Sequence, residues 1–300
     1  MNNEQILQRG PSAIIEEGVM GTGQWLALLV TVGLNALDGF DVLSISFASP
    51  GIAREWGIDK ATLGWVLSME LLGMAVGSIL LGGVADRIGR RPTILMCLAG
   101  MSAGMFGAGH AHGIAILLGC RLLTGLGIGG TLASINAAAA ELTSRRWRNF
   151  AMALMVIGYP LGGVFGGMAV QRLLASGSWR QVFNFGGWAT AAFIVIVLLL
   201  LPESVAFLDR RRSAGALERI NTILTRFGHP PAAVLSAVKL TGDRPPSITD
   251  ILRPGLLATT LLLAIGYFAH ITSFYFIVKW VPKIVVDMGF EPRVAAGLLT

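Results

Sequence analysis

Charge is what this sequence has least of. Asp, Glu, Lys and Arg make up 13% of its 300 residues, against about 25% in an ordinary soluble domain. A surface so poor in charge cannot mostly face water, which excludes a conventional soluble domain. Cysteine is nearly absent too: Cys97 and Cys120 are the only two, both inside apolar runs. The spans assigned below put them near opposite faces of a membrane, too far apart for a disulfide, and both read as small apolar fillers. The first 24 residues contain Glu16 and Glu17 and lack the charged, apolar and cleavable order of a signal peptide. Missing as well are a metal-ligand cluster, a nucleophile elbow and any Cys/His array. No metal or cofactor is implied, and a membrane-embedded enzyme would lack its nucleophile and base.

What is present is apolar. Hydrophobic residues make up 54% of the chain, and 39 glycines are interspersed with them, a mixture that suits membrane helices packed through small side chains. Crossing about 30 Å of hydrocarbon takes roughly 20 apolar residues. Runs of that length lie at 25–47, 61–84, 93–111, 114–140, 149–170, 182–201 and 255–281. An eighth begins near Arg293 and reaches Thr300 after about eight residues, too few to span.

The net charge of +6 comes from short basic clusters between apolar runs, not from one face of a folded module. Nucleic acid is therefore excluded as a partner, and the clusters report topology. With the N-terminus inside, fifteen Lys and Arg residues fall in cytoplasmic segments and six in outer ones, while Arg121 and Lys279 lie within spans. That asymmetry places the N-terminus in the cytoplasm. Residues 202–254 form the one long polar stretch, holding Arg210-Arg211-Arg212, Pro230-Pro231 and Pro245-Pro246. Between the prolines, 214–227 is expected to form a surface amphipathic helix.

Ionisable groups inside spans are costly, so each is a functional candidate. Asp38 and Asp41 are three apart in the first run and share a face, with Asn35 a turn earlier. Counted from the outer end of that run at 1.5 Å per residue, Asp41 lies roughly 9 Å deep and Asp38 roughly 13 Å. Arg121 in the fourth run lies roughly 10 Å from the same face, so Asp41 and Arg121 are expected to pair or to face one cavity. A purely structural buried pair is the plain alternative. Two carboxylates against one arginine leave one acid uncompensated, which suits reversible proton binding. An arginine in a dry cavity is also a natural fork for an organic carboxylate. Glu70 in the second run is either a further proton site or a shielded neutral acid. His270, in the aromatic stretch Tyr267-Phe268-Ala269-His270, is either a packing residue or a substrate or proton group. Lys279 is expected to snorkel to the outer interface, or to steer anions toward an outer mouth. Gly73-x-x-x-Gly77, Gly100-x-x-x-Gly104 and Gly158-x-x-x-Gly162 read as helix-packing seams. Gly125-x-Gly127-x-x-Gly130 matches a dinucleotide fingerprint in form, but it sits inside a membrane run rather than after a strand, and that reading is rejected.

The loop after the second run reads Gly82-x-x-x-Asp86-Arg87-x-Gly89-Arg90-Arg91. It resembles the signature between helices two and three of the major facilitator superfamily. Arg121-x-x-x-Gly125-x-Gly127-x-Gly129-Gly130 is similar to the fourth-helix motif of that superfamily. Gly158-Tyr159-Pro160-x-Gly162-Gly163 resembles the glycine-rich fifth helix, and Pro202-Glu203-Ser204 the motif after helix six. Within the superfamily, Asp38-Gly39-Phe40-Asp41 and Trp280-Val281-Pro282 resemble the aromatic acid/proton symporters. The likeness runs from residue 34 to residue 290.

The resemblance implies an all-α polytopic membrane protein. Its parts would be a cytoplasmic segment at 1–24, a six-helix bundle at 25–201, a cytoplasmic linker at 202–254, and helix seven with the start of helix eight at 255–300. It implies proton-coupled uptake of a small aromatic carboxylate across the prokaryotic inner membrane. Asp38, Asp41 and Glu70 would carry protons, and Asn35, Arg121 and His270 would bind substrate. Gly82, Asp86, Arg87, Gly89, Arg90 and Arg91 would gate the cytoplasmic side. The partners are a small organic anion, a proton and the bilayer. Family members have twelve helices with the substrate between two halves, so full activity is expected to need a C-terminal half beyond these residues. The alternatives are another organic acid or small metabolite as substrate, or a truncated, transport-inactive membrane protein.

Overall fold

The structure is a computed structural model that describes residues 10–176, 178–236 and 253–291. Among them every regular element is a helix. A short α1 (Pro11–Glu17) precedes six long helices: α2 (Thr22–Trp56), α3 (Lys60–Ile88), α4 (Arg90–Gly109), α5 (Ile114–Leu142), α6 (Arg148–Ser176) and α7 (Arg180–Leu200). Two short helices follow, α8 (Val205–Arg211) and α9 (Ala216–Arg226), and then the long α10 (Pro254–Asp287). Seven of these are long and apolar enough to cross a membrane. The expected eighth run lies outside the described residues, as does Pro245-Pro246.

The helices run past the apolar stretches that announced them. α2 continues nine residues beyond Phe47 to Trp56, and α6 continues to Ser176. Hydropathy marks where a helix can meet lipid, whereas the backbone ladder continues until something breaks it. For α2 the breaker is Gly57, at φ 60 in the left-handed region. Pro50 does not end α2. It removes the N–H that the Ser46 carbonyl would receive, and the Ser49 hydroxyl donates to that carbonyl at 2.9 Å instead.

α2 to α7 form one bundle, in which the extensive contacts are α3 with α5, α4 with α5, α2 with α6, and α4 with α7. Lipid offers no hydrophobic drive for helices to associate, so close backbone approach through small residues must hold them together. Gly73 and Gly77 lie against the Leu122 and Leu126 backbone of α5, and Gly125 and Gly129 lie against Glu70 and Met74 of α3. Gly158 and Gly162 face Val32 and Ala36 of α2, and Gly104 faces Thr124. Gly100 is looser, with Leu123 the nearest group at 3.8 Å from a built Cβ. The outer surface of the bundle exposes large apolar residues, among them Trp65, Ile79, Phe165 and Trp188.

One end of the bundle gathers the basic loops, and α8, α9 and α1 pack there. α9 buries Ala216, Ile220, Ile223 and Leu224 and turns its polar residues outward. It occupies almost the whole stretch read as a surface amphipathic helix. Arg226 at its end donates to the Leu199 carbonyl at 2.8 Å, a favourable use of a cation at a helix C-terminus. α10 stands against the bundle, chiefly along α2. Among its described residues only Lys279 and Pro282 are buried.

Candidate functional site

Five ionisable side chains from four helices meet inside the bundle. Asp38 lies sixteen residues in from Thr22 and eighteen short of Trp56, close to the middle of α2, and Asp41 follows one turn later. Glu70 comes from α3, Arg121 from α5 and Lys279 from α10. The first four are 0% exposed and Lys279 is 2% exposed. Glycine makes the meeting possible. A Cβ on Gly125 would collide with the Glu70 carbonyl, so α5 lies close against α3, and Arg121, one turn earlier, reaches the Glu70 side chain.

The pairing differs from the expected one. Arg121 bonds the Glu70 carboxylate through Nη2 and touches Asp41 only at its backbone carbonyl, at 3.3 Å. Its Nη1 lies 3.1 Å from Met105 Sδ, and its guanidinium sits 5.4 Å above the Phe183 ring. Depth along the helices placed Asp41 and Arg121 at one level correctly. Helix rotation, invisible to a depth count, turned Arg121 toward α3.

Lys279 does not snorkel. Its ammonium donates to Glu70 Oε2 at 2.8 Å and to the Val42 carbonyl at 2.5 Å. A lysine reaches for the interface when only lipid surrounds its stem; here α2 and α3 supply an anion and a carbonyl nearer at hand. Glu70 is thus held between two cations, one from the bundle and one from α10. Among the described residues, no group donates a hydrogen bond to the buried carboxylate oxygens of Asp38 and Asp41 within ordinary geometry, although the Arg121 charge and the Thr190 hydroxyl lie near Asp41.

Beside this cluster lies a cavity of about 550 Å³ between α2, α6 and α10. Asn35, Tyr159, Tyr267, His270, Phe274 and Tyr275 line it. The Tyr159 and Tyr275 hydroxyls lie 3.4 Å apart, Asn35 donates to the Met155 carbonyl, and the His270 ring stacks on Phe274 at 6.3 Å. The sequence has three tyrosines, and all three line this one cavity. The scarcity of tyrosine, with all three on the helices that bound this cavity, is the signal the sequence holds for it. Arg121, Glu70 and Lys279 are not themselves among the lining residues.

At the basic end, Arg90 donates to Asp86 at 2.7 Å and to Glu141 of α5 at 3.2 Å. Glu203 accepts from the Arg90 backbone N–H at 3.0 Å. Arg210 pairs with Glu141 at 3.6 Å, Arg211 donates to the Arg87 carbonyl, and Arg91 donates to the Leu198 carbonyl at 2.6 Å. A Cβ built on Gly82 would meet Ala133 at 3.7 Å, an ordinary contact. Glu141 and Glu203 were not singled out from the sequence for this network. Glu203 lies within a quoted motif, so its partner was missed rather than its importance. Burial pushes the Glu203 carboxyl upward, while backbone N–H groups and the Arg90 charge oppose the shift.

Comparison with known proteins gives one consistent picture. The profile described as Major Facilitator Superfamily matches residues 31–300. The 4-hydroxybenzoate transporter PcaK of Acinetobacter baylyi is 27% identical over 292 residues, covering 95% of this chain and 64% of its own length. The gallate transporter of Pseudomonas putida is 29% identical over 280 residues, covering 92% of this chain and 61% of its own. The chain thus spans under two thirds of the curated relatives it matches. A solved D-xylose–proton symporter superposes with a TM-score of 0.68 at 15% identity, covering 92% of this chain and 64% of its own, a likeness of fold alone.

Proposed function

Because the chain belongs to the Major Facilitator Superfamily, we propose that it serves the proton-coupled uptake of a small aromatic carboxylate across the inner membrane. The observation that carries this reading is the pair of buried carboxylates, Asp38 and Asp41, which accept no hydrogen bond from the described residues, beside Glu70 with its two cations. Leaving an unpaired carboxylate in a low-dielectric interior costs several kcal/mol, a cost that a bound proton removes. These aspartates are therefore the proton carriers. Arg121, already engaged by Glu70, serves coupling rather than substrate recognition.

The cavity takes the substrate. Its volume falls within the few hundred to about 1,000 Å³ of ordinary small-molecule sites, and its aromatic walls offer ring faces to an aromatic acid. The Tyr159 and Tyr275 hydroxyls, Asn35 and His270 are the polar groups available to orient it. The names of the relatives, a 4-hydroxybenzoate transporter and a gallate transporter, point the same way. In this reading the basic end faces the cytoplasm, in keeping with the arginine-rich loops. The Asp86–Arg90–Glu141 and Glu203 contacts hold that end in the arrangement seen here, and Gly82, Asp86, Arg87, Gly89, Arg90 and Arg91 form the gate.

The test is uptake of labelled 4-hydroxybenzoate into liposomes carrying the chain, under an imposed pH gradient. The gradient should accelerate uptake and a protonophore should abolish the gain. Gradient-independent uptake would remove proton coupling. An aliphatic diacid competing as well as benzoate would remove the aromatic preference. No uptake at all would overturn transport by this chain.

A further inference from the structure

The charges around Glu70 do not balance, and their imbalance changes sign with two protons. Facing the cluster are Asp38 and Asp41 from α2, Glu70 from α3, Arg121 from α5 and Lys279 from α10; Tyr159 of α6 and Tyr275 of α10 flank it. α4 contributes Met105 and the Cys97 thiol near Asp38, α5 the Cys120 thiol near Arg121, and α7 Phe183 and the Thr190 hydroxyl near Asp41, none of which enters the charge count as an ion. With all three acids ionised the set carries one net negative charge. With Asp38 and Asp41 protonated it carries one net positive charge, and a buried cation in excess requires an anion.

The two cations are not equally free to meet it. Arg121 is held by Glu70, by the Asp41 carbonyl and by the Phe183 face; neither it nor Lys279 is itself among the residues that line the cavity. Lys279 lies next to Val278 and one turn beyond Tyr275, both of which line the cavity. An ammonium has three donors, and Lys279 commits two of them, to Glu70 and to Val42. Its four-carbon stem lets the charge swing, and Glu70 keeps Arg121 as a partner when the lysine leaves.

We propose that Lys279 is the counter-ion for the substrate carboxylate, released from Glu70 when Asp38 and Asp41 are protonated. The assignment rests on the carboxylate uptake proposed above and adds the link between its two cargoes. Protons on α2 turn a lysine bound within the cluster into an anion site at the cavity, so carboxylate and protons bind together. The helix that carries the lysine, α10, is then the element whose attachment to the bundle changes.

The test compares binding of 4-hydroxybenzoate with that of 4-hydroxybenzamide, a neutral molecule of the same outline, to the purified chain by titration calorimetry. The wild-type chain should favour the acid by about tenfold or more, the scale of a charge-assisted pair, and take up protons only with the acid. Lys279→Met should bring the two ligands within about twofold of each other, leave amide affinity unchanged and abolish proton uptake. Lys279→Arg should retain the preference. Where Lys279→Met does not fold, Lys279→Gln serves, since its amide still donates to Glu70 and Val42. A variant that keeps the acid preference, or that loses acid and amide equally, overturns the assignment. A wild-type chain that binds neither ligand overturns the aromatic-acid reading itself, and this assignment with it.

Discussion

Glu203 reaches across 113 residues of chain to accept the backbone N–H of Arg90 at 3.0 Å, and its carboxylate fills the space where a Cβ on Gly89 would stand. Two separate motifs thus form one structural joint, between the start of α4 and the start of α8. Gly89 is required twice over, by its φ of 112° and by the carboxylate beside it.

Gly89→Ala should therefore lower stability by about 1–3 kcal/mol, from backbone strain and displacement of Glu203. Thermal unfolding in detergent checks it. An unchanged melting temperature would show that the joint is loose.

Glu203→Gln keeps an oxygen that can accept from Arg90 and removes the titration. Because burial raises this carboxyl, the folded protein holds the proton more readily than the unfolded chain. Stability should fall as pH rises from the ordinary glutamate range through the raised value. Gln at 203 should flatten that slope in melting curves recorded against pH.

Asp41→Asn retains the side chain's size without a charge to titrate. Uptake driven by a pH gradient should drop by about tenfold or more, while exchange of internal for external substrate persists, because exchange needs no net proton transfer. Gradient-driven uptake at the wild-type rate would remove Asp41 from coupling.

Arg121→Lys should impair turnover more than binding. Lysine keeps the charge but not the planar guanidinium, whose Nη2 serves the Glu70 carboxylate and the Asp41 carbonyl while Nη1 faces Met105 Sδ. A higher KM with unchanged kcat would instead mark Arg121 as a substrate ligand.

Gly162→Ala should destabilise the α2–α6 seam by about 1–3 kcal/mol, since the new methyl meets the Ala36 backbone, which cannot yield. Gly119→Ala on α5 has open space around it and should be neutral or stabilise by about 0.5–1 kcal/mol. The two unfolding curves, read together, separate a packing glycine from a spare one.

The sequence by itself determined the helical membrane class, the seven spans within the described residues and the glycine seams. Each rests on local composition or on spacing along one helix, which neighbouring residues decide among themselves. It also placed Asp38 beside Asp41 and gave Asp41 the depth of Arg121. The tertiary structure alone decided who pairs with whom: Arg121 with Glu70, Lys279 turned inward from α10, Glu203 joined to Arg90, three tyrosines around one cavity. Those contacts depend on how each helix is rotated about its own axis against its neighbours. A pattern along one helix sets the height of a charge, and only packing sets its direction.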